Sequence, residues 1–578
     1  MSLRHKLVGA AALTASTALL LGAVTPGAQA AQPAADDSAV ASWLPGKADQ
    51  AMLERFAAAL ESGDTAGLSG DLAREIAEAK AKLGFMGRVR VPGAQGDMLD
   101  GFAWTHGGNK RRPAIVMPAP WADMGWTAYV AQATKFALEG YDVLAYAPRG
   151  FAKSEGMVEV AGPLDVQDGS KALDFLIAKT GRQPQKVGFL GDSYGSGISQ
   201  LVAAHDTRVN AVASLSTWGD LGEAFLENGT IHTASVQALL GAAKNARLSP
   251  RTRQAFDDVL AGRNIPATLE WARERSPRTH VDKLNARGVA VFYAQAWHET
   301  LFPGNQATET FDKLTGPKRI DMSVGDHSSP EMSGLLGLPN RVWGDAHQWF
   351  AHFLKGVDNG IEKSEISSKA MWKSRKPEEK AKFKQFTTGG MRMHLRGKNG
   401  GTDGGLGLLP DTGWSIGFKT GTDTPLAVAK GIIVGGYDEM AGKPMTYPTG
   451  EVNRADAGVW TSGPMLLKTR LRGTPRLHLT YTPKTDDSSF VAHLLDVAPD
   501  GTAKMITHAP FTHRGEAGKP VKANVKLQFT GYDVPKGHRV MLAIDTKDQF
   551  YTDANGEGGG IEVSSPRGDG SFLDLPLG

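Results

Sequence analysis

The sequence predicts an α/β region built on a mostly parallel sheet, followed by an all-β sandwich. Three observations carry that expectation. Between residues 114 and 215 short apolar runs alternate with helix-period segments, the pattern of a parallel sheet covered on both faces. At 186–200, KVGFLGDSYGSGISQ, an apolar run stops at Gly191, Ser193 sits between two glycines, and a helical pattern follows. Beyond about residue 386 the helical period vanishes, and runs such as RLHLTYTP and HRVMLAIDT alternate apolar and polar residues between Pro, Gly and Asp turns.

Taken in order, residues 1–30 read as a secretory signal peptide. Arg4, His5 and Lys6 precede an apolar stretch from Leu7 to Val24, and Ala28-Gln29-Ala30 forms an A-x-A cleavage box. Residues 31–85 place Met52, Phe56, Leu60, Ile76, Ala79 and Leu83 at helical spacing, which predicts a helical N-terminal segment, packed on the body or acting as a pro-region. A catalytic region is expected over 86–360. Its helices are expected at 128–138, 164–179 and 196–204, its strands at 141–147, 187–190, 209–215, 289–293 and 319–324. Strand signals fail between about 219 and 287, which predicts an inserted helical cap. Charged residues, among them Lys373, Lys376, Glu378, Glu379 and Lys380, make 361–385 read as a solvated linker, and 386–578 as the sandwich.

Bulk properties remove several function classes. The formal charge is +3, and loss of Arg4 and Lys6 with the signal leaves +1, so there is no electrostatic footprint for nucleic acid. The chain has no cysteine, which excludes thiol catalysis, thiolate-bound zinc and disulfides. After signal cleavage no segment is long enough to span a bilayer. The acidic, Gly-rich stretch 545–557 lacks the ligand order of a calcium loop, and neither a metal nor a cofactor is expected.

The chemistry follows from the turn at Ser193. G-x-S-x-G between strand and helix makes a nucleophile elbow: small residues two before and two after let strand and helix approach, and the Tyr194 amide faces a developing oxyanion. A serine hydroxyl needs a histidine to take its proton and a carboxylate to fix that histidine. His327, in SVGDHSSP directly after a strand, fits best. His298, His347 and His352 compete, the last two on an amphipathic helix. For the acid, AWHETLFPGN follows the strand VAVFYAQ and offers Glu299, with Asp220 in reserve and Asp326 read as a loop cap. In the loop after AIVM, Trp121 offers an indole N–H as second oxyanion donor or else an apolar wall.

With these residues in place the chain resembles the CocE/NonD serine hydrolases, the group of cocaine esterase, α-amino acid ester hydrolases and Xaa-Pro dipeptidyl-peptidases. The similar stretches are YDVLAYAPRGFAKSEG, GFLGDSYGS, AWHETLFPGNQ, WFAHFLKGVDNG, LRGTPRLHLTYTP and FVAHLLDVAPDG, spread from roughly residue 85 to the C terminus. The resemblance implies an α/β-hydrolase fold with an inserted helical cap and a C-terminal jelly-roll sandwich, with Ser193 as nucleophile, Tyr194 as backbone oxyanion donor, His327 as base and Glu299 as acid. Two positions depart from the family pattern: W-x-D reads Trp297-His298-Glu299, and Trp121 stands where a tyrosine is usual.

The expectation is a secreted serine hydrolase that cleaves an ester or amide of a small-molecule or peptide substrate through an acyl-enzyme. Two alternatives stand beside it. An Xaa-Pro dipeptidyl-peptidase needs an anionic group for the substrate's ammonium, for which Glu223 and Glu227 are candidates. A binding protein on an inactive hydrolase shell is the other.

Overall fold

Strands β3 (Ala114–Pro118), β4 (Asp142–Tyr146), β5 (Val187–Asp192), β6 (Val209–Leu215) and β9 (Ala290–Ala296) are buried along their length apart from Asn210, so they read as continuous apolar runs. The computed structural model describes residues 47–578 apart from 67, 69 and 373–375. The signal-peptide reading, residues 31–46 of the helical segment and Lys373 lie outside the described residues.

With β1 (Phe85–Pro92), β2 (Met98–Thr105), β10 (Lys318–Ser323), β11 (Ile366–Ser368) and β12 (Glu378–Lys380), these strands form one sheet ordered β1-β2-β4-β3-β5-β6-β9-β10-β11-β12. From β4 to β11 the pairs are parallel; the β1–β2, β2–β4 and β11–β12 pairs are antiparallel. The expected linker over 361–385 is therefore corrected: two strands in it extend the sheet. Both glutamates of β12 are partnered: Glu378 meets Arg470 at 2.6 Å and Arg472 at 3.2 Å, and Glu379 meets Arg319 at 3.4 Å.

Helices α1 (Lys47–Ser62) and α2 (Gly70–Lys82) bury Leu53, Phe56, Leu60, Leu72 and Ile76 in the same cluster as Trp104, Phe136 and Trp349. Burying such a side chain is worth roughly 1.5–3 kcal/mol, so this segment belongs to the body. Helices α3 (Val130–Leu138), α4 (Pro163–Thr180) and α5 (Tyr194–His205) follow β3, β4 and β5. The cap comprises α6 (Leu221–Phe225), the hairpin β7 (Leu226–Glu227) and β8 (Thr230–Ile231), α7 (Thr233–Ala242), α8 (Pro250–Leu260), α9 (Ile265–Glu274) and α10 (Pro277–Arg287). Helices α11 (Gly304–Lys313), α12 (Ser329–Leu335) and α13 (Arg341–Lys355) complete the region.

Fourteen strands between Gly389 and Leu577 form the all-β region. All their pairings are antiparallel except that of 404–406 with 460–462. Trp297, at the end of β9, wedges into this region: its ring stacks on Phe386 at 6.3 Å and Phe529 at 5.8 Å, and its indole N–H donates to the Lys369 carbonyl. Large aromatic surfaces in such contacts contribute beyond their buried area, and they fix the loop that begins at the next residue.

Candidate active site

Strand β5 delivers Ser193 at φ 54°, ψ −118°, a left-handed conformation that a side chain seldom adopts and that an elbow requires. A methyl group on Gly191 would overlap the Gly195 carbonyl, and one on Gly195 would overlap the Pro118 carbonyl. Both glycines are thus demanded by close approach. The Ser193 N–H donates to the Leu215 carbonyl at 2.9 Å, pinning the turn to β6. Tyr194 opens α5, where amides have no intrahelical acceptor and the helix end is positive.

His327 lies on the loop after β10. Its Nε2 is 2.8 Å from Ser193 Oγ and its Nδ1 is 2.9 Å from Glu299 Oε1. A carboxylate only accepts, so Nδ1 carries the hydrogen, and in the neutral imidazole Nε2 is free to receive the serine proton. Both side chains are buried. Burial by itself pushes the imidazolium pKa down, but the Glu299 charge and hydrogen bond, helped by Asp192 and Asp326, hold it at about 9.

Glu299 Oε1 also accepts from the amides of Leu301 at 3.1 Å and Phe302 at 3.3 Å, while Oε2 is buried without a partner. The extra methylene relative to aspartate is taken up by curling the carboxylate back over its own loop. Asp326 does not face the imidazole nitrogens. Its carboxylate accepts from Thr300 N at 2.8 Å, Thr300 Oγ1 at 3.0 Å and His327 N at 2.7 Å, so it ties acid loop to base loop; burial pushes its pKa up to about 7. Asp220 caps α6 through the Glu223 amide and lies 3.3 Å from Arg278.

The competing histidines are engaged elsewhere. His347 stacks on Phe136 with ring centres 3.7 Å apart and meets Glu139 at 2.8 Å, and His352 contacts the Val357 carbonyl. His298 pairs with Glu439 at 2.7 Å. That contact belongs to a strap, residues 428–440 of the all-β region, lying on the catalytic loops: the Ile433 N–H donates to Thr300 Oγ1 at 3.0 Å, and Gly436 packs against Asp326 N and Ser329. A cavity of about 30 Å³ lined by His298, Trp372, Met505 and strap residues opens beside it.

The indole of Trp121 requires a correction. Its N–H donates to the Leu239 carbonyl of α7 at 2.9 Å and is used up there, while its ring meets Tyr194 at 5.0 Å, Phe151 at 4.9 Å and Phe256 at 6.3 Å, all edge-on. Trp121 is an apolar wall fastened to the cap. Its main-chain N–H has no acceptor among the described residues.

Sequence reasoning missed a second set of contacts joining elbow and base loop. Ser328, at φ 54°, donates its hydroxyl to Asp192 at 3.1 Å and its N–H to Ser216 Oγ at 2.9 Å, and Ser216 donates to Glu331 at 3.3 Å. Residues 192 and 193 are thereby matched to residues 328 and 327. Asp192 was readable as an elbow neighbour; nothing local marks Glu331.

The model for the X-Pro dipeptidyl-peptidase (S15) family matches residues 106–329, and that for the X-Pro dipeptidyl-peptidase C-terminal non-catalytic domain matches 419–568. A Streptomyces avermitilis protein provisionally assigned as an Xaa-Pro dipeptidyl-peptidase is 22% identical over 387 residues, 63% of this chain and 53% of that one. The chain therefore spans about half the length of that relative. Among solved structures, an α-amino acid ester hydrolase superposes with a TM-score of 0.67 at 15% identity, covering 86% of this chain and 96% of the other. A CocE/NonD family hydrolase from Staphylococcus aureus gives 0.64 at 12% identity over 85% and 93%. At such identities the likeness is one of fold.

Proposed function

We propose that the chain, whose residues 106–329 match the model of the X-Pro dipeptidyl-peptidase (S15) family, is a serine hydrolase cleaving an ester or amide through an acyl-enzyme on Ser193. The observation that carries this is the continuous chain Ser193 Oγ, His327, Glu299, with links of 2.8 and 2.9 Å. Ser193 Oγ bonds to the carbonyl carbon as its proton passes to Nε2, and the carbonyl π electrons move onto oxygen beside the Tyr194 amide. Collapse of that adduct expels the alcohol or amine, which takes the proton from Nε2. Water then repeats both steps and releases the acid. Glu299 holds the Nδ1–H throughout and stabilises the imidazolium.

Ser193→Ala tests the assignment. Turnover should fall by several orders of magnitude in a folded protein, and a fluorophosphonate that labels the native chain should leave the variant unlabelled. Near-normal turnover in the variant, or a native chain inert to the reagent, would remove it. Export directed by residues 1–30 belongs to the same proposal, supported by the basic start, apolar stretch and A-x-A box; a secreted product not beginning at Ala31 would count against it.

A narrower reading, an aminopeptidase-type specificity, has one observation in its favour. Glu227 is buried on the cap hairpin, 3.3 Å from His232, and its Oε1 has no partner. A buried carboxylate oxygen left open is what an ammonium group would complete. Glu223 is less suited, since Arg278 already occupies it at 2.8 Å. Comparing Gly-Pro p-nitroanilide with its N-acetylated form decides the matter: equal turnover of the two removes the narrower reading and leaves the hydrolase intact.

A further inference from the structure

We propose that the phenol of Tyr194, clamped between the Ala161 amide and the Asp165 carboxylate, positions the oxyanion-hole amide carried by the same residue. The proposal rests on the reading of Ser193 as nucleophile. Catalytic amides must sit where the oxyanion forms, and a misplacement of about 1 Å can cost on the order of 100-fold. Tyr194 is the first residue of α5, directly after a left-handed serine, so the elbow alone holds its amide from one side only.

Its side chain supplies the second hold. The phenol donates to Asp165 Oδ2 at 3.0 Å and accepts from the Ala161 N–H at 3.1 Å. Asp165 is itself fixed, buried at the start of α4, where Oδ2 also accepts the Gly162 N–H at 3.1 Å. Trp121 and Phe151 pack against the ring, with centres 5.0 and 5.8 Å away, so it cannot tilt without disturbing both.

The loop that delivers Ala161 is built for tightness. Val160 and Ala161 are consecutive residues at φ 56° and 55°, and a β-branched residue rarely adopts that conformation. Strain of this kind persists only where neighbours over-determine it. Here Val158 N–H donates to the Arg247 carbonyl at 2.7 Å, and Arg275, whose guanidinium lies over Trp271, donates to the Glu159 carbonyl at 2.8 Å. Both arginines come from the cap region, so the same loop joins the cap to the tyrosine that carries the amide. A buried tyrosine needing only burial would not require a strained loop to meet its oxygen.

The test is Tyr194→Phe, assayed with p-nitrophenyl acetate and with phenylboronic acid, whose tetrahedral serine adduct mimics the transition state. The expected result is a fall in kcat of about 10- to 100-fold, KM within about twofold, and a boronate inhibition constant that rises in parallel with the loss in kcat. A folded variant with native kcat, or with reduced kcat but native boronate affinity, overturns the proposal. Should Tyr194→Phe not fold, Asp165→Asn and Asp165→Ala decide: the asparagine keeps an acceptor for the phenol and should retain most of kcat and boronate affinity, whereas the alanine should lose both, and equal values in the two overturn the proposal. A native chain inert to boronate and fluorophosphonate alike would sink the hydrolase reading itself.

Discussion

Replacing Glu299 by glutamine removes the charge beside His327 while leaving an oxygen where the imidazole needs one. All three donors, His327 Nδ1 and the amides of Leu301 and Phe302, converge on Oε1, and Oε2 meets nothing. A glutamine therefore places its carbonyl oxygen at the Oε1 position and its NH₂ at the empty one. The imidazole keeps its tautomer, and only the electrostatic support is lost. Against the burial that pushes its pKa down, that support, helped by Asp192 and Asp326, leaves His327 at about 9 where an ordinary imidazole has 6.5; at about 1.4 kcal/mol per tenfold the net shift is roughly 3 kcal/mol, on the order of 300-fold in rate once the base is deprotonated. At pH 7 the native base is only about 1% neutral whereas the variant's is mostly neutral, so the deficit there shrinks to roughly fourfold. The assay is kcat/KM against pH: native activity rises to a plateau above pH 9, the variant levels off near pH 7, and the gap widens with pH. Stability moves in the matching direction. A raised imidazole binds its proton more tightly when folded, so the pair's contribution is complete below about pH 6.5 and is lost as pH climbs through about 9. A loss that is uniform across pH, near 10,000-fold, would mean that the tautomer has flipped and that the single-oxygen geometry is wrong; no loss at any pH would remove Glu299 as the acid.

Two further substitutions probe the framework. Trp121→Phe removes one of the two donors to the Leu239 carbonyl, which keeps the Ala243 N–H at 3.1 Å, and should cost about 0.5–1.5 kcal/mol in a thermal melt, with turnover reduced by less than about tenfold; a 100-fold fall in turnover at unchanged stability would restore the indole as an oxyanion donor. Gly195→Ala forces a methyl into the Pro118 carbonyl and should abolish activity, most simply seen as failure to label with fluorophosphonate. Gly344→Ala, where the added methyl meets nothing within 4 Å on α13, is the control and should be neutral or stabilising by up to about 1 kcal/mol; an active Gly195→Ala protein would contradict the elbow packing.

What could be read beforehand follows from how local each signal is. The elbow lies within five residues, because the glycines that permit it must flank the serine. His327 and Glu299 are far from Ser193 in sequence, but each follows a sheet strand, and strand order alone brings their loops to one edge. The indole of Trp121 was ambiguous because its acceptor, Leu239, comes from the cap 118 residues later. The 361–385 stretch misled because its strands are three residues long and its charges resemble solvated ones, while their partners Arg470 and Arg472 lie in the all-β region. The strap was invisible for the same reason: Ile433 finds Thr300 at a separation of 133 residues, and a glycine-rich apolar segment carries no mark of what it will cover.

That strap changes how the boundary between the two regions should be understood. The loop bearing Glu299 is gripped on one side by Asp326 and on the other by Ile433 and Glu439, and the tryptophan that introduces it is clustered with Phe386 and Phe529. The all-β region thus supplies scaffolding to the proposed proton relay without contributing an atom to it. Trimming the chain before Gly389 would keep Ser193, Glu299 and His327 and remove the strap and Phe529 that hold their loops, and a graft of either region onto a foreign partner would have to rebuild this seam before it could recover turnover.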